Sequence, residues 1–300
     1  MQLFQEENYF LFRSILTSTV FLALLISLSM LGVSSAYAYD PPAQGQTTKT
    51  TGDTKQPQKP DKVVVPNQKT FTAEQVAESA IYMYGTRPLL EQIRRNGIER
   101  GRVCKPTCDV PGKAEEATYE RRFVRGENSE KDRVRLDQKM PTLEYSLIYG
   151  NGHLSGIING AAFTPREDTA NTFLSQQRHS VDMLLRYKEN GSTLNLVGRE
   201  KQKGLDLYVL NLVDKDKATT RYYISAKTLY VLWLEYEEPG GSAGPVKYVR
   251  RFLDHRRAQG TLIPYKTILL EDGKQLQETR ILTVTFGIKL DDSVFKTPEA

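Results

Sequence analysis

Two cysteines and three histidines are the side chains of this 300-residue chain best suited to holding a metal or driving covalent chemistry, and their spacing supports neither. Cys104 and Cys108 form a lone C-x3-C pair with no second cysteine or histidine pair beside it. Zinc sites take four such ligands and redox centres use C-x-x-C, so a short structural disulfide is the expectation. His153, His179 and His255 stand in no H-E-x-x-H or paired-histidine spacing. Asp254-His255 sets an acid beside a base, but neighbouring strand residues face opposite ways, which points to a solvated turn. No G-x-S-x-G occurs, and Gly150, Gly152, Gly156 and Gly160 miss the dinucleotide and P-loop spacings, so they read as turns or bulges. The chain is expected to be no enzyme: it shows no catalytic residue, metal or cofactor, and a hydrolase would need a clustered nucleophile and base.

Apolar positions are what remain. Leu143, Tyr145, Leu147 and Tyr149 alternate with Thr142, Glu144 and Ser146, and Leu282, Val284, Phe286 and Ile288 alternate with Thr283 and Thr285. That is the period of strands buried on one face. Other strands are apolar on both. Leu205, Leu207 and Val209 oppose Tyr208, Leu210 and Leu212; Tyr230, Leu232, Leu234 and Tyr236 oppose Leu229, Val231 and Trp233. An antiparallel strand buried on both sides needs cover on both. About three helices are too few to cover two faces of some ten strands. A strongly curved sheet with helices on its concave side and an apolar cavity between answers this; a second face that is simply packed core answers it equally. On the first reading the cavity lining is Tyr145, Tyr208, Leu210, Tyr230, Leu232, Trp233, Leu234 and Phe252. Burying ten methylenes there would favour binding by roughly 8 kcal/mol before ordering costs.

The elements that position these residues are mainly strands, expected near 117–125, 131–138, 142–150, 193–201, 204–213, 219–225, 228–237, 246–254, 262–270 and 275–288. Thr72-x-x-Gln75 is a capping-box pattern ahead of Val76, Ala77, Ala80, Ile81 and Tyr84 at helical spacing, with Gly85 as the stop. Pro88 starts a second helical stretch through Leu89, Leu90 and Ile93. A third, capped by Thr164 with Pro165 in its first turn, carries Ala170, Phe173, Leu174, Val181, Leu184 and Leu185 on one face until Asn190-Gly191.

Arg13 precedes an uncharged run from Ser14 to Ala38 that closes on Ala36-Tyr37-Ala38, the pattern signal peptidase reads. A signal peptide over residues 1–38, cleaved after Ala38, implies export to the periplasm. The alternative is an uncleaved helix anchoring the chain in the inner membrane. Residues 39–70, rich in Pro, Gln, Thr, Lys and Gly, have the composition of a disordered linker. One domain is left, 71–300. The net charge of +5 comes from 41 basic and 36 acidic residues interleaved along the chain, which does not support nucleic-acid binding. Transient contact with an anionic membrane suits a mildly basic surface. Arg250, Arg251, Arg256 and Arg257 read as a solvated strand rim, with phosphate headgroups the competing partner.

At Tyr222-Tyr223-Ile224-Ser225 with Thr228, the chain resembles the "Y-x-I-D-x-x-T" strand and turn of the LolA-like, outer-membrane lipoprotein-sorting family, with Ser225 where Asp is common. The stretch from Val246 through Gly260 to Pro264 is similar to that family's strand, turn and "G-x-x-x-P" re-entry, followed by a hairpin at Glu271-Asp272-Gly273. Phe286 to Pro298 resembles the terminal "F-N-x-x-L-D-x-x-x-F-x-x-P", with Gly287 for Asn. The resemblance spans about 194–298, extends to the helix ending in Tyr84-Gly85, and is weak over 98–190. It implies an α+β fold, mainly β: an incomplete antiparallel barrel with a helical lid whose cavity receives acyl chains. The implied ligand is a lipid or a lipoprotein acyl group. The same scaffold in related anti-sigma regulators implies the alternative, an envelope stress or assembly regulator that binds protein partners. No ligand-contact residue of the family maps onto this sequence.

Overall fold

Thr72 Oγ1 accepts the Gln75 amide at 3.2 Å while Gln75 Oε1 accepts the Thr72 amide at 2.9 Å, the reciprocal pair expected of a capping box. It starts α1, Ala73–Tyr84, which buries Val76, Ala77, Ala80, Ile81 and Tyr84 along one side. Gly85, at φ 142°, ends the helix in a conformation that side chains disfavour. Pro88 then sits in the first turn of α2, Arg87–Ile93. The computed structural model describes residues 71–110, 115–240 and 244–297. The expected signal peptide and the whole of the expected linker fall outside these residues. No described helix is long and apolar enough to cross a membrane.

Thirteen strands follow: β1 Asn96–Lys105, β2 Glu115–Val124, β3 Arg133–Lys139, β4 Glu144–Gly150, β5 His153–Ile158, β6 Ala161–Phe163, β7 Thr193–Gln202, β8 Leu205–Val213, β9 Thr219–Ser225, β10 Val231–Glu238, β11 Val246–Ala258, β12 Thr261–Glu271 and β13 Lys274–Phe286. They form one curved, open antiparallel sheet in the order β6-β5-β4-β3-β2-β1-β13-β12-β11-β10-β9-β8-β7. Five hairpins turn on two residues with positive φ ending in glycine: Asn151-Gly152, Asn159-Gly160, Lys203-Gly204, Gln259-Gly260 and Asp272-Gly273. Such turns match the twist of the strands they join and fix their register. The chain-consecutive strands β6 and β7 are the two edges of the sheet. The segment between them carries α3, Glu167–Arg178, and α4, Val181–Leu185.

The sheet's cover is uneven. Over β7 to β11, α1 and α4 close a core of twenty-one buried side chains, including Ile81, Leu184, Leu210, Leu212, Tyr222, Ile224 and Leu234, with only four partly buried ones at its margin. Around β1 to β6, six buried side chains, among them Phe123, Val134, Leu147, Phe173 and Phe286, are outnumbered by ten partly buried ones. Leu207, Val209 and Tyr223 form a third cluster with Leu232 and Trp233 on the opposite face of the sheet, so β8 is buried on both faces. The short 3-10 turn Asp292–Phe295 packs on β3 and β4. There Arg133 meets Asp292 at 2.7 Å, and Arg135 donates to the Val294 carbonyl at 3.2 Å.

Several local expectations are corrected. β1, β5 and β6 are strands that the alternation does not reveal. In β1 the reason is Gly97 and Gly101: the Phe123 and Phe286 rings lie over the first and the Tyr119 ring over the second, so apolar neighbours replace an apolar side chain. Gly156 serves Phe163 of β6 in the same way; it sits inside β5 and is no turn. The single helix expected from Thr164 to Asn190 is two. α3 begins after Arg166 without a side-chain cap and stops at His179. A bulge between Val231 and Trp233 shifts the alternation of β10, so Val231 shares the helix-covered core with Leu234.

Candidate functional site

The eight residues read as cavity lining do not converge. Leu210, Leu234 and Phe252 are buried in the core under α1 and α4, with Tyr208 and Tyr230 partly buried at its margin. Leu232 and Trp233 belong to the cluster on the other face, where the Trp233 ring stacks on Tyr223 at 4.6 Å. Tyr145 alone joins the half-open cluster over β1 to β6, and its hydroxyl donates to Gln138 Oε1. Cys104 and Cys108 are joined in a disulfide with Cα atoms 5.1 Å apart. Thr107 Oγ1, inside that loop, donates to Glu278 Oε2 at 2.8 Å. Glu278 is buried and also meets Lys266 and Arg280, so the loop is tied to β12 and β13.

Space opens elsewhere. A cleft of about 290 Å³ has Phe123, Val134 and Tyr149 of β2, β3 and β4 as one wall and Leu174, Gln177, Arg178, Asp182 and Met183 of α3 and α4 as the other. The apolar wall is continuous across the sheet: Phe123 pairs with Val134, Val134 with Tyr149, and Tyr149 with Leu154. Arg125 and Arg186 separate this cleft from a second, of about 380 Å³, beside α2 and lined by Arg87, Leu90, Glu91 and Arg95.

A knot of charge fixes the helical wall. Asp182, in the first turn of α4, lies 2.5 Å from Arg125 and 2.9 Å from Arg94. Burial raises the cost of its charge, but the guanidiniums of Arg125 and Arg94, with Arg121 farther off, outweigh that and hold the carboxyl far below the usual range. Burial likewise pushes Arg125 down to about 10, against the pull of Asp182. Arg186 is held by Asp132 at 2.8 Å and Glu189 at 2.7 Å. At the other end of the segment, Glu78 of α1 pairs with Arg87 at 2.8 Å and Lys188 at 2.9 Å and accepts from Tyr187. The hydrogen bond from Arg87 is the main reason its carboxyl falls to about 2.

His179 explains the break between α3 and α4. Its ring is buried, stacked on Tyr236 at 3.9 Å, with Nδ1 2.7 Å from Thr220 Oγ1 and Nε2 3.3 Å from Glu238. Arg250 takes up the carbonyls that the helix end leaves free, donating to Gln176 at 2.9 Å and His179 at 2.6 Å. Arg250 is therefore no part of a solvated rim, whereas Arg251, Arg256 and Arg257 are exposed. Burial pushes His179 down to about 3, helped by the charges of Arg178 and Arg250. The Glu238 carboxylate pulls the other way, but it already accepts from Ser175 at 2.6 Å and does not offset the loss of water. Thr220, His179 and Glu238 thus join a hydroxyl, an imidazole and a carboxylate in the order of a hydrolytic relay. Thr220 is 1% exposed, so no substrate carbonyl reaches its oxygen. Asp254-His255 is not a turn either. It lies within β11, where Asp254 has φ 52° and pairs with Arg256 at 2.6 Å, while His255 sits against the Tyr230 ring at 5.0 Å. The acid and base side chains share no hydrogen bond or ion pair.

Arg121, Phe123, Val134, Asp182 and Met183 carry the cleft without having been singled out in the sequence. The alternation of Tyr145, Leu147 and Tyr149 was the one local signal pointing to this floor, and it reads equally as ordinary core.

No family model matches the chain, and no curated protein sequence matches it. Among solved structures it is similar to a DUF1329 family protein from Desulfovibrio piger, at 11% identity and TM-score 0.53 over 76% of this chain and 98% of that one. A LolA superfamily protein from Nitrosomonas europaea is similar at 13% identity and TM-score 0.50, again over 76% and 98%. A putative outer membrane lipoprotein-sorting protein domain from Vibrio parahaemolyticus aligns at 12% identity and TM-score 0.47 over 75% and 95%. The open, curved antiparallel sheet with few helices has the fold of the LolA superfamily.

Proposed function

We propose that this chain is a periplasmic carrier that takes up an apolar, acyl-bearing ligand without covalent chemistry. The observation behind this reading is the uneven cover of the sheet: one half is closed by helices, and the other leaves Leu136, Tyr145, Tyr149, Leu154 and Phe163 partly buried, with Tyr149 lining the cleft itself. Apolar side chains held in this state gain from a ligand that finishes their burial, at about 25 cal/mol per Å². Small-molecule sites run from roughly 300 to 1,000 Å³. A cleft of about 290 Å³ sits at the lower end, which suits one acyl chain better than the several chains of a lipoprotein. Periplasmic placement rests on the export signal read at residues 1–38, and a mildly basic surface suits transient contact with the membrane that supplies the ligand.

Native mass spectrometry of the mature protein purified from the periplasm, before and after organic extraction, tests this. A stoichiometric acyl-bearing adduct released by solvent is the expected result. A clean ligand-free mass, together with no uptake of a fluorescent fatty acid, overturns it.

A further inference from the structure

We propose that the cleft selects an amphiphile with an anionic head, and that Arg121 is the residue that receives it. The inference rests on the carrier reading and names the ligand class. Every other basic side chain of the cleft is matched by a carboxylate. Arg125 has Asp182, Arg178 has Asp214 and Asp216, Arg186 has Asp132, and Lys215 has Glu130. Arg121 forms no ion pair among the described residues, although its charge acts at longer range on Asp182, which Arg94 and Arg125 already hold; its one hydrogen bond, Nη2 to Gln177 Oε1 of α3, is long at 3.4 Å. Glu99, its cross-strand neighbour, accepts the Tyr119 hydroxyl at 2.8 Å and forms no ion pair with Arg121 among the described residues.

Position matters as much as charge. Arg121 is on β2, two residues from Phe123 and on the same face, with its guanidinium 4.8 Å from the Phe123 ring. It therefore stands where the apolar floor of Phe123, Val134 and Tyr149 meets the polar wall of α3. A ligand whose chain lies on that floor brings its head within reach of the unmatched guanidinium. A guanidinium fork binds a carboxylate or a phosphate alike, so the chemistry recognised is an oxyanion attached to an alkyl chain.

Calorimetric titration of the intact mature protein at about pH 7.5 with decanoate, 1-decanol and inorganic phosphate separates the contributions. Wild type is expected to bind decanoate about 10-fold more tightly than 1-decanol, and phosphate alone not measurably. Arg121→Gln should bring decanoate down to the affinity of the alcohol while leaving alcohol binding intact, which also shows that the variant is folded. Arg121→Lys should restore part of the preference. Equal binding of acid and alcohol by wild type, or a preference that survives Arg121→Gln, overturns the proposal and leaves the carrier reading standing. Tight binding of phosphate alone overturns it in favour of a free-anion site. Failure of both alkyl ligands to bind removes the carrier reading with it.

Discussion

Lowering the pH from about 7.5 to about 5.0 isolates the burial of His179. Its imidazole is 2% exposed and held down to about 3, whereas an unfolded histidine titrates near 6.5. A folded value below the unfolded one means that the unfolded chain takes up the proton first. The stabilisation is fully present above about pH 6.5 and is lost as the pH falls from there toward 3. At pH 5.0 the loss spans about 1.5 pH units, or about 2 kcal/mol, from this residue alone. Urea unfolding of wild type and His179→Gln at both pH values measures it. The carboxamide does not titrate, so wild type should lose about 2 kcal/mol more than the variant on acidification, with His255 and the carboxylates cancelling between them. The groups packed on the ring are Thr220, Tyr236 and Glu238, with Arg178 and Arg250 close by. Should Glu238 prevail over burial, the folded ring would protonate with the unfolded one, and equal losses in the two proteins would refute the reasoning.

Gly101→Ala should destabilise the fold by about 1–3 kcal/mol, because the new methyl group would collide with the Arg280 carbonyl and the Tyr119 ring; an unchanged melting temperature would contradict that packing. Asp182→Ala strips Arg94 and Arg125 of their shared carboxylate. Since that carboxylate is 31% exposed, the cost should be about 2 kcal/mol and not the 3–5 of a fully buried pair, read as a lower denaturation midpoint. In hydrogen exchange, α3 amides should exchange faster than those of α1, because α3 buries only Phe173 while α1 buries six residues. Equal protection would mean that α3 is held by more than its packing.

The elements legible in the sequence are those whose causes are local. Thr72 and Gln75 cap each other across one turn, and the Asp272-Gly273 hairpin is specified by its own two residues. β1 and the end of α3 were hidden because their causes come from distant chain. Gly101 is explained by Tyr119 of β2, and the stop at His179 by Thr220, Glu238 and Arg250 of three later strands. The cleft was hidden for a further reason. Strands apolar on both faces, such as β8 with Leu207 and Leu210, draw attention as cavity walls. That composition accompanies complete burial, and complete burial leaves no space. The open floor is built instead from β2, β3 and β4, whose alternating polar residues mark them in sequence as ordinary half-buried strands.

The route of the chain explains why the opening is where it is. Since β6 and β7 are consecutive in sequence yet opposite edges of the sheet, the segment joining them must cross from one edge to the other. Its second part is fastened: α4 buries Val181, Met183, Leu184 and Leu185, and Asp182 is clamped by two arginines. Its first part is held chiefly by polar contacts near its C-terminal end, where Ser175 donates to Glu238 and Arg178 pairs with Asp214 and Asp216. α3 has no side-chain cap, buries Phe173 alone, and leaves Leu174 exposed at 38%. Lifting α3 from the floor uncovers one buried phenylalanine, about 1.5–3 kcal/mol of apolar burial in addition to the polar contacts of Ser175, Gln176 and Arg178, whereas lifting α1 would uncover six buried residues including Ile81 and Tyr84. A ligand covering Phe123, Val134 and Tyr149 offsets the smaller cost and not the larger. Under the proposed carrier function, uptake at the cleft would leave the closed half of the sheet intact.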